Sequence, residues 1–291
     1  MLKSKLSRCL FALFAVAAMN LAACGDDDDF VARPGDNEPS SSSVKGKSSS
    51  SGAKSSSSVA EAQSSSSLNK VVPACKSVKD GSMVDERDGQ EYRTVDICGQ
   101  VWMAENLNYK TEYGSYCYEK KQDNCDTYGR LYQWSVIMDS AGVFSDDALG
   151  CGTEAEECSP SYPVRGICPE GWHVPTIHEL ESLLKAVGSI RDESRTWEWL
   201  NAGKILKSAT EDWVDDGMGE DSYGFTALPA GSGARGSYFT SLGKLVDIAT
   251  SSIDMDLDYH TYCLNLREDT DDAVIMSDLM RDTRSVRCVK N

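Results

Sequence analysis

No Cys-x-x-Cys pair occurs in the sequence, although it holds 11 cysteines among 291 residues. A zinc ribbon and a thioredoxin-like redox centre are thereby excluded. Histidine is scarce, with only His173, His178 and His260. They do not form His-Glu-x-x-His, and zinc needs three or four convergent ligands. Gly-x-Ser-x-Gly is missing, as is a Gly-rich phosphate loop, which removes the usual serine-hydrolase and nucleotide signatures. Positive charge is short: 29 Lys and Arg face 46 Asp and Glu, a net charge of −17. Such a surface repels phosphate backbones, so no nucleic-acid partner is expected. Beyond residue 24 no apolar run approaches the roughly 18 residues of a spanning helix.

At the N-terminus Lys3, Lys5 and Arg8 precede a mostly apolar stretch, Cys9–Met19, which ends in Leu21-Ala22-Ala23-Cys24. The stretch is too short to span a bilayer and fits a signal-peptide core. Small residues before a cysteine resemble a lipobox, so residues 1–23 are expected to be a lipoprotein signal peptide and Cys24 the lipidated residue. The partner implied is a membrane, held through acyl chains at Cys24. Gly25 in place of an aspartate resembles sorting to the outer membrane. The acidic run Asp26–Asp29 reads equally as a surface-export signal or as a solvated start to a tether.

Residues 24–72 carry four Ser-Ser-Ser-Ser blocks, at 40–43, 48–51, 55–58 and 64–67. Without apolar periodicity such a segment cannot offset its ordering entropy, and a disordered linker is expected, with a mean reach of roughly 35–42 Å. Residues 73–291 suit one globular domain.

Setting aside Cys9 and Cys24 leaves nine cysteines, as an exported chain in an oxidising compartment would have, and an odd number leaves one unpaired. Connectivity is open from sequence. The expected bridges are Cys117–Cys125 and Cys151–Cys158 as local clamps, and Cys75–Cys98 and Cys168–Cys288 as the longer pairs. By elimination among these, Cys263 is left as a buried thiol.

Segments 91–97 and 100–104 around Cys98-Gly99 predict a hairpin with a two-residue turn. In 126–138, Leu131, Trp134, Ile137 and Met138 recur at helical spacing. Thr176 and Glu179 form a capping box before a helix whose apolar face is Ile177, Leu180, Leu183, Leu184 and Val187. A further helix is predicted within 197–207. Short strands are predicted at 225–228, 261–266, 273–276 and 285–289. Helices early and strands late imply α+β with antiparallel sheets.

Asp254, Asp256 and Asp258 alternate and are weak calcium candidates. Tyr259 and Asn265 stand where an EF-hand needs Gly and Glu, and on a strand the three would share a solvated face. Glu105 reads as a buried structural glutamate rather than half of a glycosidase pair. Tyr109, Tyr113, Tyr116 and Tyr118 crowd one loop and are the candidate ligand contacts, since flat aromatics stack on sugars; packing around Cys117–Cys125 is the competing role. No catalytic residue, resident metal or cofactor is assigned.

Five segments resemble, in order, the Fibrobacter succinogenes major paralogous domain family: Val101 to Tyr109, Tyr128 to Trp134, Cys168 to Thr176, Gly224 to Gly231 and Ser285 to Cys288. The resemblance covers about residues 75–290. It implies a lipoprotein with a serine-rich linker and brings no established biochemical activity. The stretch Gly171-Trp172-His173-Val174-Pro175-Thr176 is also similar to the helix-starting motif of C-type-lectin-like and formylglycine-generating-enzyme-like domains. That implies a C-type-lectin-like fold of two to three helices with short antiparallel sheets. Ile248–Asp254 departs from the aromatic-rich strand usual there, and the calcium-dependent sugar motifs of true C-type lectins are missing. The function expected is a non-enzymatic envelope module that binds polysaccharide or another surface component. A structural subunit of an envelope protein complex is the alternative, and a glycan-active hydrolase a third.

Overall fold

Cys98 and Gly99 both take left-handed backbone angles, φ 59° and 88°, which matches the twist of a two-residue hairpin turn. That turn sets the register of the first sheet. Its strand order is β1 (Val78–Asp85), β2 (Gln90–Ile97), β3 (Gln100–Met103), β14 (Val289–Lys290) and β6 (Trp172–His173). A second sheet runs β10 (Leu245–Ile253), β11 (His260–Arg267), β12 (Ala273–Leu279) and β7 (Glu198–Trp199). The third is β4 (Ser115–Tyr116), β5 (Leu131–Gln133), β13 (Asp282–Arg284), β8 (Ser232–Ala234) and β9 (Tyr238–Thr240). All pairings between these named strands are antiparallel. With helices α1 (Gln122–Tyr128), α2 (Trp134–Ile137), α3 (Ile177–Ala186) and α4 (Ala202–Leu206), the architecture is α+β.

The computed structural model describes residues 78–152, 158–195 and 197–291, which belong to the unit formed by residues 66–291. The expected signal peptide at 1–23, lipidation at Cys24, the linker at 24–72 and Cys75 lie outside the described residues.

Helix α3 forms as its sequence requires. Thr176 Oγ1 accepts from the Glu179 N–H, and Glu179 reaches back to the Thr176 N–H, so orphan donors at the first turn are met. Leu180, Leu183 and Leu184 are buried on one face, packed in a cluster with Trp102, Phe225, Ile248 and Leu264. A second cluster gathers Met103, Leu107, Tyr132, Ile137 and Val174. It contains the disulfide Cys168–Cys288, which joins residues 120 apart. Cys117–Cys125 and Cys151–Cys158 close local loops, and Cys98 is disulfide-bonded.

Three expected elements differ. The helix read across 126–138 is divided: α1 stops at Tyr128, β5 intervenes and α2 is a single turn. The cause is Gly129, at φ 76° and ψ −170°, a region essentially reserved for glycine. Leu131, Trp134, Ile137 and Met138 are buried all the same, since strand followed by turn brings the same side chains inward. Residues 225–228 form no strand; Thr226 at φ 52° breaks the extended run and only Ala227 makes a bridge, to Lys207. Of the strand expected at 285–289, only Val289 falls in a named strand, although Ser285 bridges Ile248 and the carbonyls of Val286 and Cys288 accept from Leu107 and Met103.

Candidate functional site

The site is built outward from a buried ion pair. Asp85, the last residue of β1, is fully buried, and Arg87 in the following turn meets both its carboxylate oxygens with one edge of its guanidinium. Nε lies 2.8 Å from Oδ1 and Nη2 2.7 Å from Oδ2, while Nη1 donates to the Ile167 carbonyl at 2.8 Å. A bidentate pair of this kind fixes the plane of the guanidinium. That plane is used: Cζ stands 4.0 Å from the ring centre of Tyr109 and 4.9 Å from that of Phe144. The two rings meet edge to face at 5.9 Å, a favoured aromatic geometry. Behind them Tyr132 donates its hydroxyl to the Tyr109 carbonyl, and Tyr92 accepts from the Asn108 N–H. Burial raises both supporting phenols well above their ordinary pKa, so they stay neutral and keep these bonds. The Tyr109–Phe144 wall is therefore rigid.

Phe144 is delivered by a loop that Asp139 organises. Asp139 is buried with φ 55°, and its carboxylate accepts from the N–H groups of Val143, Phe144 and Ser145 at 2.8, 2.6 and 3.0 Å. On the opposite side, Thr111 Oγ1 donates to the Tyr113 carbonyl and the Thr111 N–H to Ser115 Oγ, forming a turn that holds Tyr113 out, 61% exposed. Between these loops lies an open cavity of about 250 Å³ whose walls include Tyr109, Tyr113, Val136, Asp139, Val143 and Phe144. Flat aromatic faces with a few polar groups at the rim have the chemistry to take a ring-shaped ligand. The buried carboxylate there already takes three backbone N–H bonds, so it serves the loop.

The four candidate tyrosines separate. Tyr109 and Tyr113 line the cavity. Tyr118 is buried against Phe239, with ring centres 5.4 Å apart, and Tyr116 lies over the backbone of Gly236. Tyr116 and Tyr118 thus pack on the β8–β9 hairpin, and the Cys117–Cys125 bridge ties the chain between them to α1.

Asp254, Asp256 and Asp258 are not on a strand. They sit in the bend between β10 and β11, where Asp254 is buried and accepts from the Asp256 N–H. Among the described residues no group of three or more His, Cys, Asp or Glu side chains could hold a metal ion. The histidines are apart in role: His173 bonds Glu179 and Asn291, His260 contacts the Asp258 carbonyl, and His178 is exposed. Glu105 is half-exposed rather than buried, bonded to the N–H and guanidinium of Arg93. Cys263 is buried and unpaired, and burial raises its pKa so that the thiol stays protonated.

Sequence reasoning missed Asp85, Arg87, Asp139 and Phe144. Asp139 left a trace, an acid just before a glycine-containing turn. Nothing local ties Arg87 to Phe144, 57 positions away.

No curated protein and no solved structure matches the chain. The family model described as Fibrobacter succinogenes major domain matches residues 95–290. That span takes in both cavity tyrosines, Asp139, Phe144 and the Cys168–Cys288 bridge. The chain thus belongs to the Fibrobacter succinogenes major domain family.

Proposed function

We propose that the folded part of this chain is a non-enzymatic glycan-binding module, carried on a serine-rich tether by a lipid anchor at Cys24 on the outer membrane of a bacterial envelope. The observation that carries the binding reading is the rigid aromatic wall of Tyr109 and Phe144, facing the exposed Tyr113 across a cavity of about 250 Å³. A sugar ring has apolar faces of a size that aromatic side chains cover, and pre-positioned rings lose little entropy on binding. The anchor is supported by the basic N-terminus, the apolar stretch and Ala22-Ala23-Cys24. A C-type-lectin-like architecture is part of the proposal, supported by the Gly171–Thr176 motif and the capped helix that follows it.

Binding of the purified chain, disulfides intact, to a panel of plant and bacterial polysaccharides tests this. Tyr113→Ala should weaken binding by about 1–2 kcal/mol, roughly 5- to 30-fold, as for an exposed aromatic contact, without changing stability. Tyr238→Ala, similarly exposed on β9, should do nothing. A panel with no saturable binder sinks the reading.

One observation favours a second reading, a subunit of an envelope protein complex. Met255, Leu257 and Tyr259 are 88%, 49% and 49% exposed within five residues and line one cleft. Cross-linking on intact cells that captures one specific protein through this bend, and not through Tyr113, would favour it.

A further inference from the structure

Two arginines stand against Phe144, and the fold uses them differently. Arg87 has its charge met by Asp85, which takes its Nε–Nη2 edge, and its Nη1 is bonded to the Ile167 carbonyl. Arg165 lies with Cζ 5.9 Å from the Phe144 ring centre. It donates Nη1–H to the Phe144 carbonyl at 2.9 Å and Nε–H to the Cys168 carbonyl at 3.3 Å. A guanidinium has five N–H groups, and these two bonds leave Nη2 and one Nη1 hydrogen uncommitted. Among the described residues Arg165 forms no ion pair; Asp147 meets its backbone N–H instead. Here is a half-buried, oriented cation with no ion-pair partner among the described residues.

Its place matters. Arg165 lines an open cleft of about 560 Å³ with Arg87, Met83 and Trp172. Phe144, to which it is bonded, is a wall of the aromatic cavity. The cleft and the cavity therefore adjoin across the Phe144–guanidinium contact. We propose that the ligand is an acidic glycan, with a sugar ring against Tyr109 and Tyr113 and a carboxylate on the Arg165 fork. The inference rests on the glycan reading above.

The protein's own charge limits which acidic glycan can bind. At −17 overall, with the exposed Glu86 and Glu170 also lining the cleft, a densely charged polyanion is repelled. Charges farther away than the Debye length, ~8 Å at physiological salt, are screened, so a lone carboxylate escapes most of the overall negative charge and meets Arg165 against only the two exposed glutamates of the cleft. The ligand class is thus a mostly neutral polysaccharide bearing scattered uronic-acid residues.

The test compares a glucuronic-acid-substituted xylo-oligosaccharide with its carboxyl-reduced counterpart, which keeps the ring and loses the charge. Calorimetric titration of the whole protein should give at least about tenfold tighter binding of the acid, as expected of a charge-assisted contact. Arg165→Gln should erase that difference, so that the variant binds the acid and the reduced sugar with equal affinity. Arg165→Lys keeps the charge without the fork and should restore part of it; thermal unfolding of both variants shows whether they are folded. Tyr113→Ala should weaken both ligands equally. Equal affinity of the native protein for the two sugars overturns the carboxylate inference and spares the glycan reading. A preference that survives in folded Arg165→Gln overturns the role of Arg165. Absence of binding to either sugar overturns the inference, and the wider polysaccharide panel then decides whether the glycan reading falls with it.

Discussion

His173 and Glu179 meet at 2.7 Å, with the other imidazole nitrogen 2.6 Å from Asn291 Oδ1. Burial opposes the charged form of each. The hydrogen bonds outweigh it, so the histidine pKa is raised above 6.5 and the carboxyl pKa is lowered below 4.5. The stability carried by His173 is fully present below pH 6.5 and is lost as pH rises through its raised folded-state value. The stability carried by Glu179 is present above pH 4.5 and is lost as pH falls through its depressed value. Together they predict a plateau between about pH 4.5 and 6.5, with a decline on the alkaline side. Urea midpoints across pH 5–9 should show that decline, and His173→Gln should flatten it. A variant with an unchanged alkaline slope would mean that the pair is not the titrating element. Legibility at this scale was uneven. The capping role of Glu179 could be read from Thr176-x-x-Glu179, but its second bond to His173 could not, because β6 and α3 must fold against each other first. Likewise Tyr109 and Tyr113 were visible as aromatics, whereas Arg165 became a candidate only once Phe144 stood beside it.

At the scale of elements, the α1–β5 junction shows what decides a boundary. An apolar pattern with spacings of three and four fits a helix, yet 126–138 is helix, strand and turn in succession. Periodicity records which side chains face inward and does not record the path of the backbone between them. Gly129 sets that path. A Cβ there would lie 2.8 Å from both the Cβ and the carbonyl oxygen of Asn106, so the residue is constrained by its angles and by the close approach of the 102–107 segment. Asn106 in turn donates to the Tyr128 carbonyl and accepts from the buried Arg287. Gly129→Ala is therefore expected to cost about 1–3 kcal/mol from backbone strain alone, with the clash added. The shift in urea midpoint at constant m-value measures it; a shift below ~0.5 kcal/mol would show that the segment yields easily. By contrast the Cys98-Gly99 hairpin and α3 were legible, because a two-residue turn and a capping box specify backbone geometry directly.

For the molecule as a whole, the long bridge Cys168–Cys288 ties the aromatic wall to the core. Its sulfurs belong to the second apolar cluster. The carbonyls of Ile167 and Cys168, on one side of it, hold Arg87 and Arg165. Position in the chain also makes it the strongest constraint among the three bridges whose two cysteines are both described. Separations of 120, 8 and 7 residues correspond, in the chain-entropy model, to roughly 5 kcal/mol for the long loop and about 2.5 kcal/mol for each short one. Replacing Cys168 and Cys288 together by alanine should accordingly lower unfolding free energy about twice as much as removing Cys117–Cys125, as measured by urea denaturation. The same double variant, assayed while still folded, should lose ligand affinity, since the carbonyls that orient both guanidinium groups are no longer pinned. Removing Cys151–Cys158 should leave affinity nearly unchanged. If affinity instead survives loss of the long bridge, Asp85 and the aromatic stack suffice to orient the wall, and the bridge serves stability alone.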